Sequence, residues 1–359
     1  VASFCVHCSF SRSKVYTLGL QLEESQMQWE IAPGSMGWPL VGETLQFFAP
    51  STSFDINPFV KKRMERYGPI FRTNLVGRPV IVSTDSDLNH FVFQQEGQLF
   101  QSWYPDTFTE IFGRQNVGSM HGFMYKYLKS LVLNLFGPES LKKMLPEVEQ
   151  AANRNLKMWS RQDTVELKDA TASGRKKAMR MLKTMLDERR ARPQKLQRDF
   201  FDYVLEELER EDTILTKEIA LDLMFVLLFA SFETTSLVIT LATKLLVDNP
   251  LVLKALTEEH EAILKERKNL ESGFTWKEYK SMKFTFQFIN ETVRLANIVP
   301  GIFRKAQRDI KFKDYTIPAG WAVMVCPPAV HLNPARYENP LDFNPWRWEV
   351  SRAYNFLLY

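Results

Sequence analysis

A mainly α-helical protein with small β-sheets is the fold class that this sequence predicts. Three observations carry it. Most of the 359 residues lie in long stretches with apolar residues at helical spacing. Short alternating runs bounded by Gly and Pro occur near both ends. The composition, 45% hydrophobic and 25% charged, is that of a globular protein. The length allows two domains or one large one. The 27 Phe residues suit a large apolar interior or a big hydrophobic ligand. A net charge of +4 excludes a general polyanion binder, and three cysteines exclude a disulfide scaffold.

The elements follow in order. Residues 1–30 show no signal peptide, and Cys5 and Cys8 read as an incidental pair, with no second pair at zinc-finger distance. Pro33-Gly34 and Gly37-Trp38-Pro39 make a stiff entry. A helix is predicted over 54–67, a hairpin over 70–75 and 79–83 around Gly77-Arg78, and helices over 86–96 and 121–136. Gly137-Pro138 stops the last of these, and another helix covers 139–159. Charge then splits: residues 174–198 carry ten Lys/Arg against two acids, and residues 199–218 carry eight acids against two bases. Both stretches are otherwise helical. The basic one can in principle bind a nucleic acid or an anionic surface, but the acidic one that follows can neutralise it, so no nucleic-acid partner is expected.

Residues 219–247 form a strongly apolar helix, read as buried because charges interrupt every stretch long enough to span a membrane. Asn249-Pro250 restarts a helix, Thr275-x-x-Glu278 matches a capping box, and a helix runs on to Ala296. After Pro300 the pattern turns to strands around 310–312 and 321–326, then to a long Pro-rich irregular tail.

Three constellations can carry chemistry. Asp222, Glu233 and Lys244 are spaced by 11 residues and share one stripe of the apolar helix. Asp222 and Lys244 lie near its ends, where water is expected to reach them. Glu233 sits in the middle beside Thr234, and a carboxyl beside a hydroxyl can relay protons to a ligand. The alternative is a polar notch satisfied by backbone carbonyls. The pair Glu291-x-x-Arg294 has the spacing of a surface ion pair, as do Glu207 and Arg210. Around Glu291, however, stand Phe284, Phe286, Phe288, Ile289, Val293 and Leu295, so that pair is predicted to be buried with a further partner. Arg347, between Trp346 and Trp348, can stack on them and bind a carboxylate, or lie in a surface turn.

In this order, Ala230-Ser-Phe-Glu-Thr-Thr235, Glu291-x-x-Arg294 and Pro345-Trp-Arg-Trp348 resemble the signatures of cytochrome P450 haem-thiolate monooxygenases. Pro33-Gly-Ser-Met-Gly-Trp-Pro-Leu-Val-Gly-Glu-Thr44 resembles the proline-rich hinge of the plant branch that oxidises sterols, brassinosteroids and triterpenoids. The resemblance implies the cytochrome P450 fold over residues 31–359. It implies haem b, dioxygen, NADPH-cytochrome P450 reductase as electron donor, and a large apolar substrate. It also implies the cytosolic face of the endoplasmic reticulum membrane. Glu233 and Thr234 match the acid–alcohol pair that delivers protons to dioxygen, with Ser231 where the family usually has Gly. Glu291, Arg294 and Arg347 match a buried structural triad. His121, Tyr125 and Lys129 share a helical stripe where the family holds a haem propionate, and Arg304 matches a second propionate ligand.

Three departures are expected to matter. The axial cysteine should lie in an F-x-x-G-x-R-x-C-x-G loop beyond Arg347; these 359 residues contain no such loop, and Cys326 lacks its flanking residues, so no metal ligand is assigned. Residues 169–174 join directly to the basic helix where the family has further helices, an apparent internal deletion of roughly fifty residues by family proportions. Residues 1–30 resemble nothing in the family and hold no apolar anchor. The expectations are thus a monooxygenase by family or, for these residues alone, a catalytically inactive remnant.

Overall fold

The computed structural model describes residues 30–49, 54–105, 112, 120, 122–136, 138–159, 175–191, 200–267 and 273–349. Residues 1–29, the 169–174 junction, the 350–359 tail, His121, Cys5 and Cys8 lie outside them. The chain divides into two compact units, one of residues 1–105 with 299–341 and one of residues 106–298 with 342–359.

The first unit holds the β-structure. It begins with helix α1 (Thr44–Phe47) and helix α2 (Pro58–Tyr67), the latter started by Asn57, whose side chain accepts from Phe59 N, and by Pro58 in its first turn. Strands β1 (Ile70–Leu75) and β2 (Arg78–Ser83) form the expected hairpin. Helix α3 (Ser86–Gln94) follows, capped by Asp85, then strand β3 (Phe100–Ser102).

The second unit is helical: α4 (Gly122–Phe136), α5 (Pro138–Trp159), α6 (Arg175–Ala191), α7 (Phe200–Glu209), α8 (Lys217–Asp248), α9 (Pro250–Glu266), α10 (Trp276–Ser281) and α11 (Lys283–Ala296). The chain then returns to the first unit with β4 (Ile302–Ala306), β5 (Ile310–Phe312), β6 (Tyr315–Ile317), β7 (Ala322–Val325) and α12 (Pro327–His331). A 3-10 turn at Pro345–Trp348 belongs to the second unit.

The two ends of the sequence do not make separate sheets. Five strands join in the order β1-β2-β7-β4-β3, with β7 parallel to β2, and β5 and β6 form a hairpin of their own. Ile70, Ile81, Leu88, Phe100, Trp321, Val323 and Val325 make one core there. Ile70 of β1 enters that core, while Phe71, Thr73 and Leu75, also buried, alternate onto the strand's other face.

Two boundaries differ from expectation. The helix predicted to continue from the Thr275 capping box to Ala296 breaks at Met282, where φ −73° and ψ 66° leave the helical region. Within the tail expected to be irregular, Pro327 and Pro345 each open a short turn of helix, as Pro does at a first position.

Candidate functional site

Helix α8 is buried along only part of its length. Ile219 to Phe225 enter a core with Leu128, Leu182, Leu186 and Val204. Asp222, expected to reach water, is buried in that segment at 8% exposure. Between Leu228 and Ile239 large side chains open to the surface: Leu228, Phe229, Phe232, Leu237 and Ile239 are all exposed, before Leu245 is buried again. Glu233 and Thr234 lie on this open stretch and are half-buried, so the expectation of a deeply buried Glu233 is corrected. A helix that is apolar all round gives no stripe from which to tell which half is covered. Lys244 is exposed and pairs with Asp248 at 2.5 Å.

The hydroxyls along α8 satisfy themselves on its own backbone. Thr234 Oγ1 donates to Ala230 O at 2.6 Å, Ser231 to Leu228 O at 3.1 Å and Ser236 to Glu233 O at 3.1 Å. Such back-bonding fixes each hydroxyl's direction along the helix. Among the described residues, α8 is the one helix long and apolar enough to cross a membrane by length and composition. Its buried N-terminal segment shows that length and composition alone do not place it in one.

The Glu291 cluster is closed. Glu291 and Arg294 sit on α11 at 0% and 1% exposure. Arg294 donates to the Glu291 carboxylate through Nε and Nη2, both at 2.8 Å. The 3-10 turn supplies three more donors: Asn344 N at 3.0 Å, Arg347 Nε at 2.9 Å and Trp348 Nε1 at 2.9 Å. Arg294 Nη2 and Arg347 Nη2 both donate to Asp342 O. Burial alone would raise the Glu291 pKa. Arg294, the Asn344 N–H and the Trp348 indole outweigh it and hold the carboxyl below its ordinary value. Sequence reasoning brought Glu291, Arg294 and Arg347 together. It missed Asn344 and read Trp348 as a ring for stacking, whereas its indole N–H is a ligand of the carboxylate.

The remaining candidates fall in separate places. Tyr125 is half-buried on α4, and the exposed Lys129 holds its Nζ 6.0 Å from the Tyr125 ring centre. Arg304, on β4 in the first unit, is held by Glu96. Its Nε lies 3.1 Å from Oε1, its Nη2 donates to Oε2 at 3.2 Å and its Nη1 donates to Phe303 O at 2.9 Å. Its guanidinium also lies over the Phe93 ring. Cys326 is buried beside β7, and burial pushes its thiol up to about 11.

The family model described as "Cytochrome P450" matches residues 32–171 and 156–357. The chain belongs to the cytochrome P450 family. Cytochrome P450 87A3 of Oryza sativa subsp. japonica is 55% identical over 371 positions, covering 89% of this chain and 72% of that protein. The cucurbitadienol 11-hydroxylase of Siraitia grosvenorii is 37% identical, covering 91% and 80%. The retinoic acid-bound cyanobacterial CYP120A1 shares the fold with a TM-score of 0.77 at 23% identity, over 90% of this chain and 82% of that one. The fold is therefore the cytochrome P450 fold, and by family the chain is a plant cytochrome P450 monooxygenase with a haem cofactor, a reductase as electron donor, dioxygen and an apolar substrate.

Proposed function

We propose that this cytochrome P450 oxygenates a C–H bond of a large polycyclic substrate, a sterol, brassinosteroid or triterpenoid, with haem b and with electrons from NADPH-cytochrome P450 reductase. The observation that carries the reading is the Glu233–Thr234 pair on the uncovered apolar stretch of α8. That face of exposed Phe and Leu suits a flat apolar macrocycle and an apolar substrate. The hinge resemblance and the likeness to a cucurbitadienol hydroxylase support the substrate class.

The residues fit the haem in part. Tyr125 and Lys129 on α4 offer one propionate partner set. Arg304 offers another through N–H groups that Glu96 and Phe303 O leave over. When bound through a thiolate, haem supplies the activation of dioxygen. This chain's own residues do the rest. Glu233 and Thr234 stand where a proton would be passed to a ligand on the open face of α8, Thr234 after turning its hydroxyl from Ala230 O, and the Glu291 cluster holds α11 against the 3-10 turn.

The cysteines favour a second reading of these 359 residues by themselves, an incomplete iron site. Among the described residues the one cysteine, Cys326, is a buried thiol rather than a thiolate. That residues are missing relative to the family, a gap we place near residues 169–174, accords with the length of the alignment with the rice relative. It runs over 371 positions while drawing on 89% of a 359-residue chain, so part of that relative lies opposite gaps. A place at the endoplasmic reticulum membrane is supported by the hinge. There Trp38, Leu45 and Phe48 are 78%, 79% and 67% exposed, beside an exposed Val76.

The test is Thr234→Ala in a chain carrying a haem-ligand loop. Haem content and the substrate-induced spectral shift should persist, while NADPH consumption yields hydrogen peroxide in place of oxygenated product. Unchanged coupling of NADPH to product would refute the role of Thr234.

A further inference from the structure

Helix α11, which carries Glu291, has no cap of its own: Met282 at its N-cap position makes no side-chain hydrogen bond. The N–H groups of a first helical turn need acceptors from elsewhere. Here they find one carboxylate on another helix. Glu259 of α9 accepts from Phe284 N at 2.7 Å through Oε1, and from Thr285 N at 2.9 Å and Thr285 Oγ1 at 2.7 Å through Oε2. The adjacent His260 places Nε2 2.9 Å from the same hydroxyl. Thr285 has already given its only proton to Glu259, so His260 Nε2 is the donor there.

The capped turn is linked onward to the Glu291 cluster. Phe284 meets Trp346 with ring centres 5.2 Å apart, and Phe288 meets Phe343 at 6.0 Å. Val252 and Leu256, on α9, pack with Phe288, Phe284 and Phe343 in one apolar group. They hold α11 sideways against α9. The apolar effect behind that contact is non-directional and locates a helix along its axis less sharply than directed bonds do. Three directed hydrogen bonds at the helix end add that precision, and a carboxylate suits that end because the backbone leaves partial positive charge there.

We infer that Glu259 is a positioning residue for the Glu291 cluster. As a cap supplied from α9 it sets the axial register of α11, and so keeps Glu291 in reach of Asn344, Arg347 and Trp348. This rests on hydrogen bonds within the second unit and stands apart from the oxygenase reading. Its failure leaves that reading untouched.

Amide-resolved hydrogen exchange on the 359-residue chain tests it, with the remote Asn344 N–H, a donor to Glu291, as the deciding signal. Glu259→Ala should speed exchange at Phe284, Thr285 and Asn344 alike, by about tenfold or more. Glu259→Gln keeps one acceptor oxygen and should restore Asn344 protection in part. His260→Ala leaves the Glu259 bonds in place and should leave Asn344 within about twofold of wild type. Faster exchange confined to Phe284 and Thr285 would make Glu259 a local cap and overturn the proposal, as would no change at all. Should Glu259→Ala fail to fold, Glu259→Gln decides: partial loss at Asn344 supports the role, and wild-type protection overturns it.

Discussion

At the scale of single residues, Glu291 shows what a buried charge needs. A carboxylate at 0% exposure is tolerated because five N–H donors surround it, three of them from two guanidinium groups. Removing it leaves Arg294 and Arg347 facing each other without their acid. Glu291→Ala should cost ~3–5 kcal/mol in denaturant unfolding. The exposed pair Lys244–Asp248 is the matched control, and Asp248→Ala should cost less than ~0.5 kcal/mol. Glu207, which has the same sequence spacing as Glu291, is a poorer control than the sequence indicates: it also accepts from the Tyr127 hydroxyl and is only 16% exposed in its side chain. The pH dependence has a definite sign. Because the folded carboxyl of Glu291 lies below its ordinary 4.5, its contribution is complete above that value and is lost as pH falls through the folded value. The gap in stability between wild type and Glu291→Ala should therefore narrow on acidification below pH 4.5, and a gap that widens there would contradict the assignment. The Glu291–Arg294 pair was legible because aromatic residues surround it in the sequence. Asn344 and Trp348 were not, since they reach the carboxylate from 53 and 57 residues away.

At the scale of elements, local chemistry was readable and tertiary cover was not. The Thr275–Glu278 capping box forms as its spacing indicates. Arg267, from the end of α9, then adds to it and holds the Glu278 carboxyl down to about 2. The break at Met282 was invisible, because the apolar pattern runs through it and the cap that restarts the helix, Glu259, comes from another element. In α8 the sequence showed an apolar helix but could not show that its stretch from Leu228 to Ile239 stays open. The β1–β2 hairpin was placed by Gly77, yet its turn carries an unsuited partner. Val76 and Gly77 have φ of 53° and 72°, the pattern of a type I′ turn, which favours Asn-Gly and strains a β-branched residue. The Val76 side chain is half exposed, so replacing it forfeits little packing. Val76→Asn should stabilise the chain by ~1 kcal/mol, read as a rise of a few degrees in Tm; an unchanged or lower Tm would show that the turn holds no such strain.

At the scale of the whole molecule, the family was legible from four short motifs in order, while the assembly of the sheet was not. Residues 78–83 and 322–325 pair in parallel, a contact that no local signal announces. That pairing decides the fate of Cys326. It follows β7 directly, donates its backbone N–H to Ser83 O at the end of β2 and opens α12, so its side chain is sealed at 2% exposure. Sealed in that way, with its thiol pushed up to about 11 by burial, it offers iron neither an approach nor a ready thiolate. A cationic side chain that pairs with a haem propionate would not replace an axial sulfur. The 359 residues expressed alone are therefore expected to give no thiolate-type absorption band when reduced and treated with carbon monoxide, and Cys326→Ser should give the same spectrum. A chain extended beyond Trp348 with a loop of the form F-x-x-G-x-R-x-C-x-G should give the band, and should lose it again when Glu291→Ala unfastens α11 from the 3-10 turn. A thiolate-type band from the 359 residues themselves would place the ligand at Cys5, Cys8 or Cys326 and overturn this argument.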